Sequence, residues 1–199
     1  MSDAAQPPSA PNGSGLWSRL RTILQEEAAE LRPRQHALSA VSKMLPRHVG
    51  SGVRASLLRL RGVTVGEGTL VHDTPLLTGG TADSIRKLSI GKDCVIDIGC
   101  AFELGDELTI GDRVTIGHQV MIITTTHELG TREHRAGALV RQPVRIGDGA
   151  LIGPRSVVLP GVVIGEGAIV DAGSVVNKSV APHTRVRGIP ARQVEELTP

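Results

Sequence analysis

A six-residue hydrophobic repeat runs through residues 146–181. Each of its six hexads opens with an aliphatic residue and carries a small or β-branched residue four positions later, from Ile146 and Ala150 to Val176 and Val180. Neither the 3.6-residue period of a helix nor the alternation of an ordinary strand produces this spacing. A hexapeptide repeat predicts a parallel β-helix, in which three hexads form one triangular coil and the aliphatic side chains stack inside.

The repeat can also be followed towards the N-terminus. It starts at Val65, resumes at Ile90 after an irregular stretch, and continues from Ile98 to Ile122. Because Ile90 and Ile98 are eight residues apart rather than six, the phase predicts two inserted residues near Cys94–Asp97.

Two segments interrupt or end the pattern on the C-terminal side. Residues 127–143 fit no hexad, and the repeat resumes at Val144. We expect residues 127–143 to leave the β-helix as an extruded loop, a kind of segment that is usually functional. After the repeat ends, residues 191–199 predict a short capping helix and a tail.

The N-terminal part follows different patterns. Residues 1–15 are rich in Pro, Ser, Ala and Gly and are predicted to be disordered. Apolar residues at helical spacing predict an amphipathic helix over 16–31, and further helices over 34–45 and 51–61. The sequence therefore predicts a mainly β chain with four parts: a tail 1–15, a helical extension 16–61, a β-helix 62–190, and the C-terminal element 191–199.

Composition narrows the class of protein. The 199 residues carry a formal net charge of +2, and Trp17 and Phe102 are the only Trp, Tyr or Phe residues. The low net charge gives no reason to expect polyanion binding. The scarcity of aromatic side chains argues against a surface on which nucleic-acid bases stack. Cys94 and Cys100 fall near small-residue slots and are interpreted as buried thiols. Because no apolar run of 18 residues and no signal peptide is visible, we expect a cytoplasmic protein.

A basic stretch precedes the repeat. From Arg32 to Gly66 there are seven Arg or Lys residues and no acidic residue. One interpretation is a solvated face with charges at helix C-termini. The other is peripheral contact of residues 32–61 with an anionic membrane or a lipid-linked acceptor.

Several segments resemble the hexapeptide-repeat acyltransferases of the galactoside, maltose and polysaccharide O-acetyltransferase type. They are residues 110–127, 146–153, 158–165, 172–182 and 188–192. The resemblance extends over about residues 62–195 and implies a left-handed β-helix, an exception to the usual crossover handedness. It further implies a homotrimer with active sites between subunits. The implied reaction moves an acetyl group from acetyl-CoA to a hydroxyl of a sugar or polysaccharide precursor, without a metal.

The resemblance identifies His127, at the end of a Thr-rich strand, as the catalytic base. A neutral imidazole can take the proton of an alcohol while the alcohol attacks a thioester. His118 and His134 are interpreted as surface residues, with His134 a weaker candidate near the acceptor. A γ-type carbonic anhydrase is an alternative on the same fold, but its zinc needs closely spaced histidines on adjacent strands, whereas these three are nine and seven residues apart.

Other positions match the family's binding residues. Gly153 and Ala172 match backbone positions beside the pantetheine arm of coenzyme A, and Lys178 and Arg192 match basic positions near its phosphates. Asp97 matches an acceptor-binding position where galactoside-type members carry Asn.

The sequence departs from the family at three positions. Leu151 replaces a Trp beside the pantetheine, Pro154 lacks the N–H that members often place near the thioester, and Glu195 replaces a phosphate-facing Arg. These departures keep a non-catalytic hexapeptide scaffold as an alternative.

Overall fold

The structure, a computed structural model, describes residues 33–46, 49–79 and 83–198. The chain divides into two compact units, Met1–Pro33 and Arg34–Pro199, and the described residues belong almost wholly to the second. The predicted disordered tail 1–15 and the predicted helix over 16–31 lie outside the described residues.

Two α-helices precede the repeat, as predicted: α1 (Pro33–Met44) and α2 (Ser51–Arg61). Glycines in the left-handed conformation bound α2, Gly50 with φ 75° and Gly62 with φ 103°, where a side chain would be strained. Leu58 of α2 is buried, and the helix packs on the first two strands of the repeat. Within the described residues, no helix is long and apolar enough to cross a membrane.

Two cations of the basic stretch 32–61 are hydrogen-bonded to the chain's own backbone. Arg54 is only 1% exposed. Its guanidinium donates to three carbonyl oxygens of the link between α1 and α2, at 2.6–2.9 Å: those of Leu45, Pro46 and Val49. Arg59 donates to two carbonyl oxygens at the start of the repeat, at 2.8 and 2.6 Å. Arg54 is therefore buried away from any membrane surface, whereas Arg59 is exposed, and contact of the stretch with an anionic membrane stays a prediction.

Short β-strands joined by turns follow the two α-helices. In chain order they are β1 (Thr64–Val65), β2 (Leu70–Val71), β3 (Leu76–Thr78), β4 (Leu88–Ile90), β5 (Val95–Ile96), β6 (Ala101–Glu103), β7 (Leu108–Ile110), β8 (Thr115–Ile116), β9 (Met121–Ile122), β10 (Thr125–Leu129), β11 (Ala136–Arg141), β12 (Val144–Ile146), β13 (Leu151–Ile152), β14 (Val157–Val158), β15 (Val163–Ile164), β16 (Ile169–Val170), β17 (Val175–Val176), β18 (Thr184–Gly188) and β19 (Ala191–Glu196). A 3-10 helix, Ser84–Lys87, lies between β3 and β4.

Three parallel faces enclose the core. Face 1 contains β1, β4, β7, β12 and β15. Face 2 contains β2, β5, β8, β13 and β16, extended by β18 and β19, and face 3 contains β3, β6, β9, β14 and β17. Strands one coil apart pair in parallel at equivalent hexad positions, as Ile96, Ile116 and Ile152 do in face 2. The predicted parallel β-helix is therefore confirmed.

The core is a set of stacked aliphatic columns, most of whose members are fully buried. Burying one such side chain contributes about 1.5–3 kcal/mol. Phe102 is fully buried and stacks between Leu77 and Ile122 on face 3. Cys94 and Cys100 are buried free thiols, as predicted. Because the columns fix each coil against the next, a surface residue is located by its coil and its corner.

The predicted insertion near Cys94–Asp97 is wrong. Ile96 is fully buried and continues the column, whereas Ile98 is only partly buried and lies beyond the end of β5. The hexads run without a slip to Phe102, and the two extra residues lie between Phe102 and Ile110. The sequence offered two isoleucines two positions apart, and the pattern alone selected the wrong one as the inward residue.

Every insertion into the repeat lies at one corner, between face 3 and face 1, named the hairpin corner. The 3-10 helix lies there between β3 and β4, the two extra residues lie between β6 and β7, and the pair β10–β11 lies between β9 and β12. The other two corners keep the six-residue spacing, so all changes of chain length are concentrated at the hairpin corner of the β-helix.

The predicted C-terminal helix is wrong, because β19 is a strand. It pairs antiparallel with β18, from Gly188 opposite Ala191 to Thr184 opposite Glu196. Without this partner, β18 would leave a row of unpaired backbone groups at the edge of face 2. The helix-forming residues of β19 are largely exposed, so backbone pairing outweighs their local preference.

Candidate functional site

The segment predicted to leave the β-helix over 127–143 does so as a β-hairpin. β10 and β11 pair antiparallel, with Thr125 opposite Arg141 and His127 opposite Leu139. Residues directly opposite each other, and residues two apart on a strand, project from the same face of such a pair. Thr125, His127, Leu139 and Arg141 therefore share one face of the hairpin.

Glu103, the last residue of β6, anchors the root of the hairpin. One of its carboxylate oxygens accepts the backbone N–H groups of Thr124 and Thr125, both at 2.9 Å. The Thr124 hydroxyl donates to the carbonyl oxygen of Glu103 at 2.8 Å, and Thr124 is fully buried. The point at which the chain leaves the β-helix is thus fixed to the coil before it.

The imidazole of His127 is exposed, and its Nδ1 lies 2.9 Å from the carbonyl oxygen of Gly137. A carbonyl can only accept, so this contact assigns the hydrogen to Nδ1. In the neutral ring, Nε2 then carries a lone pair and can accept a proton. This is the tautomer that a general base requires.

A cavity of about 530 Å³ lies at the hairpin corner. It is lined by the 3-10 helix, the link between β6 and β7, and the hairpin: Gly79, Asp83, Ser84, Lys87, Glu103, Gly105, Thr125, Leu139 and Arg141. Three of these residues belong to the hairpin face that carries His127, so the imidazole projects on the cavity side. The lining mixes carboxylate, cation and hydroxyl groups, which suits a polar ligand with several hydrogen-bonding groups.

A second row of residues, named the corner row, follows the corner between face 2 and face 3. Its members each come directly after the inward residue of a face-2 strand: His72, Asp97, Gly117, Gly153, Asp171 and Arg187. A Cβ on Gly153 would lie 2.5 Å from the amide nitrogen of Ala172, and one on Gly117 would lie 2.8 Å from that of Pro154. The middle of the row is therefore a flat shelf of backbone, on which the predicted donor residues Gly153 and Ala172 lie together.

Asp97 lies between two imidazoles that the sequence reasoning did not connect with it. Its Oδ1 is hydrogen-bonded to Nδ1 of His72 at 2.9 Å, and its Oδ2 lies 3.0 Å from Nδ1 of His118. His118 was interpreted as a surface residue, and His72 was not singled out. The alignment of successive coils could have revealed this contact, because it places residues 72, 97 and 117 side by side.

The two predicted phosphate-binding cations share a cleft at the C-terminal end of the β-helix. Lys178 and Arg192 both line this cavity of about 190 Å³, and both are exposed. Glu195 instead pairs with Arg185 at 3.4 Å. The structure thus brings Lys178 and Arg192 together, and Glu195 belongs to a neighbouring ion-pair network.

Asp171 is the centre of that network. It accepts from Nε of Arg185 at 2.8 Å and from Nε of Arg187 at 2.6 Å. The hydrogen bond from Arg185, with a further one from Arg187, lowers the pKa of the Asp171 carboxyl. This network fixes the end of the corner row next to Ala172.

The hairpin corner and the corner row lie on opposite edges of face 3. One hexad crosses face 3 from edge to edge, and six fully extended residues span at most about 20 Å. Among the described residues, no hydrogen bond or ion pair connects His127 with Asp97. Within one chain, the predicted base and the predicted donor shelf therefore face different grooves.

His118, His127 and His134 each contact a different group. His118 contacts Asp97, His127 is bonded to Gly137, and the amide of His134 is held by Thr131. In the part of the chain that the structure describes, no three His, Cys, Asp or Glu residues are grouped as metal ligands would be. This arrangement does not match the zinc site of the carbonic anhydrase alternative.

Residues 143–178 match the family model described as bacterial transferase hexapeptide (six repeats). Over this segment the chain is similar to that family. Its fold is a left-handed parallel β-helix, as the resemblance implied. By sequence alone, the chain matches none of the curated proteins.

Solved structures give the nearest comparisons. A hexapeptide-repeat acetyltransferase from Vibrio cholerae is 29% identical with a TM-score of 0.73, covering 87% of this chain and 94% of its own. Its complex with acetyl coenzyme A has a TM-score of 0.72 at 29% identity, covering 87% of this chain and 90% of its own. A galactoside acetyltransferase in complex with coenzyme A is 27% identical with a TM-score of 0.71, covering 84% and 80% of the two chains. The chain thus shares its fold over most of its length with acetyltransferases whose structures include coenzyme A or acetyl coenzyme A.

Proposed function

We propose that this protein is an O-acetyltransferase that transfers the acetyl group of acetyl-CoA to a carbohydrate hydroxyl, with His127 as general base. The observation that carries the proposal is the fixed tautomer of His127, on the hairpin face that lines a polar cavity. The similar structures with coenzyme A and acetyl-CoA support the choice of donor.

The proton transfers of the chemical step all pass through this base. Nε2 of His127 takes the proton of the acceptor hydroxyl while the oxygen attacks the carbonyl carbon of the thioester. The carbon–sulfur bond then breaks, and the proton passes from the imidazolium to the departing thiolate. A positioned general base of this kind contributes about 10²–10⁴ in rate.

The corner row and the C-terminal cleft supply the donor site in this proposal. The backbone shelf at Gly153 and Ala172 allows the pantetheine arm to approach closely, and Leu151, 40% exposed on face 2, offers it an apolar contact. Lys178 and Arg192 provide the positive charge for the phosphates.

Two groups beside the shelf do not supply the donor for the developing oxyanion. The N–H of Gly153 is already bonded to the carbonyl oxygen of Val170 at 2.7 Å, and Pro154 has no N–H. An oxyanion donor must therefore come from a group other than these two.

We further propose a cyclic homotrimer whose active sites lie between subunits. Within one chain, His127 and the donor shelf lie on opposite edges of face 3, so a groove between two parallel β-helices can combine them. A heterologous contact repeated around a three-fold axis gives three such grooves. A trimeric mass in solution is the first check of this assembly.

The test is a thiol-release assay with acetyl-CoA and a panel of neutral sugars, comparing the wild type with His127→Ala. We expect the rate to fall by about 10²–10⁴ with the melting temperature unchanged. His134→Ala is the matched control, because His134 is also an exposed hairpin histidine. If His127→Ala keeps most of the rate, His127 is not the base. If the wild type turns over no acceptor, the scaffold alternative replaces the enzyme.

A further inference from the structure

His118 is a half-exposed histidine beside Asp97 on the corner row. Its Nδ1 lies 3.0 Å from Asp97 Oδ2, with the side chains of His118 and Asp97 51% and 19% exposed. A carboxylate offers only lone pairs, and two acceptors at this distance would repel each other, so the contact favours the hydrogen on Nδ1. In the neutral ring, Nε2 of His118 is then a hydrogen-bond acceptor.

The turn that carries His118 is held by both neighbouring coils. The N–H of Arg155 donates to the carbonyl oxygen of His118 at 2.8 Å, and the N–H of Gln119 donates to that of Ile98 at 2.9 Å. Gln119 has the left-handed φ of 58°, and its side-chain oxygen accepts from Nε of Arg155 at 2.9 Å. This support places an exposed imidazole on a fixed backbone, an arrangement that suits ligand binding.

His118 also lies beside the donor shelf. Its neighbour Gly117 belongs to the coil directly next to that of Gly153, and adjacent strands are about 4.8 Å apart. An acceptor group held by His118 would therefore lie close to a thioester on the shelf.

We propose that His118 binds the acceptor through Nε2 and that Asp97 is a positioning residue that fixes the tautomer of His118. The proposal rests on the proposed acetyl transfer and changes the predicted role of Asp97 from acceptor ligand to support. An Nε2 lone pair next to a carboxylate selects a hydrogen-bond donor, which is a hydroxyl or an ammonium group, and disfavours a phosphate.

The tautomer is tested without any turnover. ¹⁵N-histidine-labelled protein at pH 8 should show His118 with its hydrogen on Nδ1. In Asp97→Asn, the amide can donate to Nδ1, and the hydrogen of His118 should move to Nε2. A wild-type His118 with its hydrogen on Nε2 would overturn the positioning role of Asp97.

Acceptor binding is tested with the same label. Methyl galactoside, maltose and glucosamine are added separately, so the neutral sugars test hydroxyl groups and glucosamine tests an ammonium. At least one should shift the Nε2 resonance of His118, whereas inorganic phosphate should not. If none of the three sugars shifts it, the proposal is overturned, whatever the outcome of the enzyme assay.

Kinetics separate this role from a structural one. His118→Ala should raise the acceptor KM by about 3- to 10-fold, the value of one hydrogen bond, and leave the KM for acetyl-CoA unchanged. His118→Gln, which restores an acceptor oxygen, should recover part of the loss. Lys92→Ala is the control, because it removes an exposed side chain at the corner between face 1 and face 2 and leaves the imidazole and its supporting turn in place. An unchanged acceptor KM in His118→Ala, with an active wild type, would refute the role of His118 while leaving acetyl transfer intact.

Discussion

Replacing Glu103 by alanine removes the carboxylate that holds the root of the β10–β11 hairpin. The variant leaves the N–H groups of Thr124 and Thr125 without their acceptor. The backbone carbonyl of Glu103 remains, so the bond from the Thr124 hydroxyl is kept. The change therefore removes two backbone hydrogen bonds and a longer contact, 3.3 Å, between the Thr124 hydroxyl and the carboxylate.

The size of the effect follows from the burial of these two groups. A hydrogen bond to a charged group contributes about 1.5–3 kcal/mol. Thr124 is fully buried and its N–H cannot be rehydrated, whereas Thr125 is partly exposed and can recover part of its loss in water. We therefore expect opening of the hairpin root to become easier by about 2–4 kcal/mol. Glu103→Gln keeps a neutral acceptor oxygen and should retain roughly half of that stabilisation.

Native-state hydrogen exchange measures this opening directly. In Glu103→Ala, protection of the Thr124 and Thr125 amides should fall by about 30- to 700-fold, since 1.4 kcal/mol corresponds to tenfold. The amide of Ile152 in the core should change much less, and kcat should fall because His127 loses its fixed support. Glu107→Ala is the matched control, since it removes an exposed carboxylate of the same link. Equal losses of protection at the hairpin root and in the core would refute the local role of Glu103.

Two further predictions concern other groups. Because Arg185 and Arg187 lower the pKa of Asp171, its contribution to stability is complete above the unfolded-state pKa of about 3.9 and is lost as the pH falls through the lower folded-state value. Asp171→Asn should lower the urea midpoint at pH 7, with the difference from wild type shrinking below about pH 4; a constant difference down to pH 3 would contradict this. Burial raises the pKa of the Cys100 thiol to about 11 and that of Cys94 above its usual value. Iodoacetamide at pH 8 should therefore label neither cysteine in the native protein and both in urea, as measured by mass spectrometry; native labelling would show that the coils open.

The repeat could be predicted because each hexad repeats one physical requirement, an aliphatic residue that faces the column of the next coil. That requirement also shows the limit of the pattern. Ile96 and Ile98 satisfy it equally in the sequence, and only the pairing of Ile96 with Ile116 distinguishes them. The insertion was placed at the wrong corner for this reason.

The candidate site was predictable only in part. The resemblance identified His127, and its place at the end of a Thr-rich strand, where the repeat breaks, is a local signal. The contact between Asp97 and His118 joins different coils, so no local spacing reports it. The same holds for β19, whose residues favour a helix until the edge of β18 is available as a partner.

The position of the hairpin also bears on how this chain can fold and diverge. Paired strands β13 and β16 are 18 residues apart, from Leu151 to Ile169, whereas β8 and β13, separated by the hairpin, are 36 apart, from Thr115 to Leu151. Doubling the length of a closed loop adds only about 0.6 kcal/mol of entropy. Assembly of coil upon coil can therefore continue past the hairpin with little penalty, and segments of different length can be exchanged at this corner without disturbing the ladder on either side.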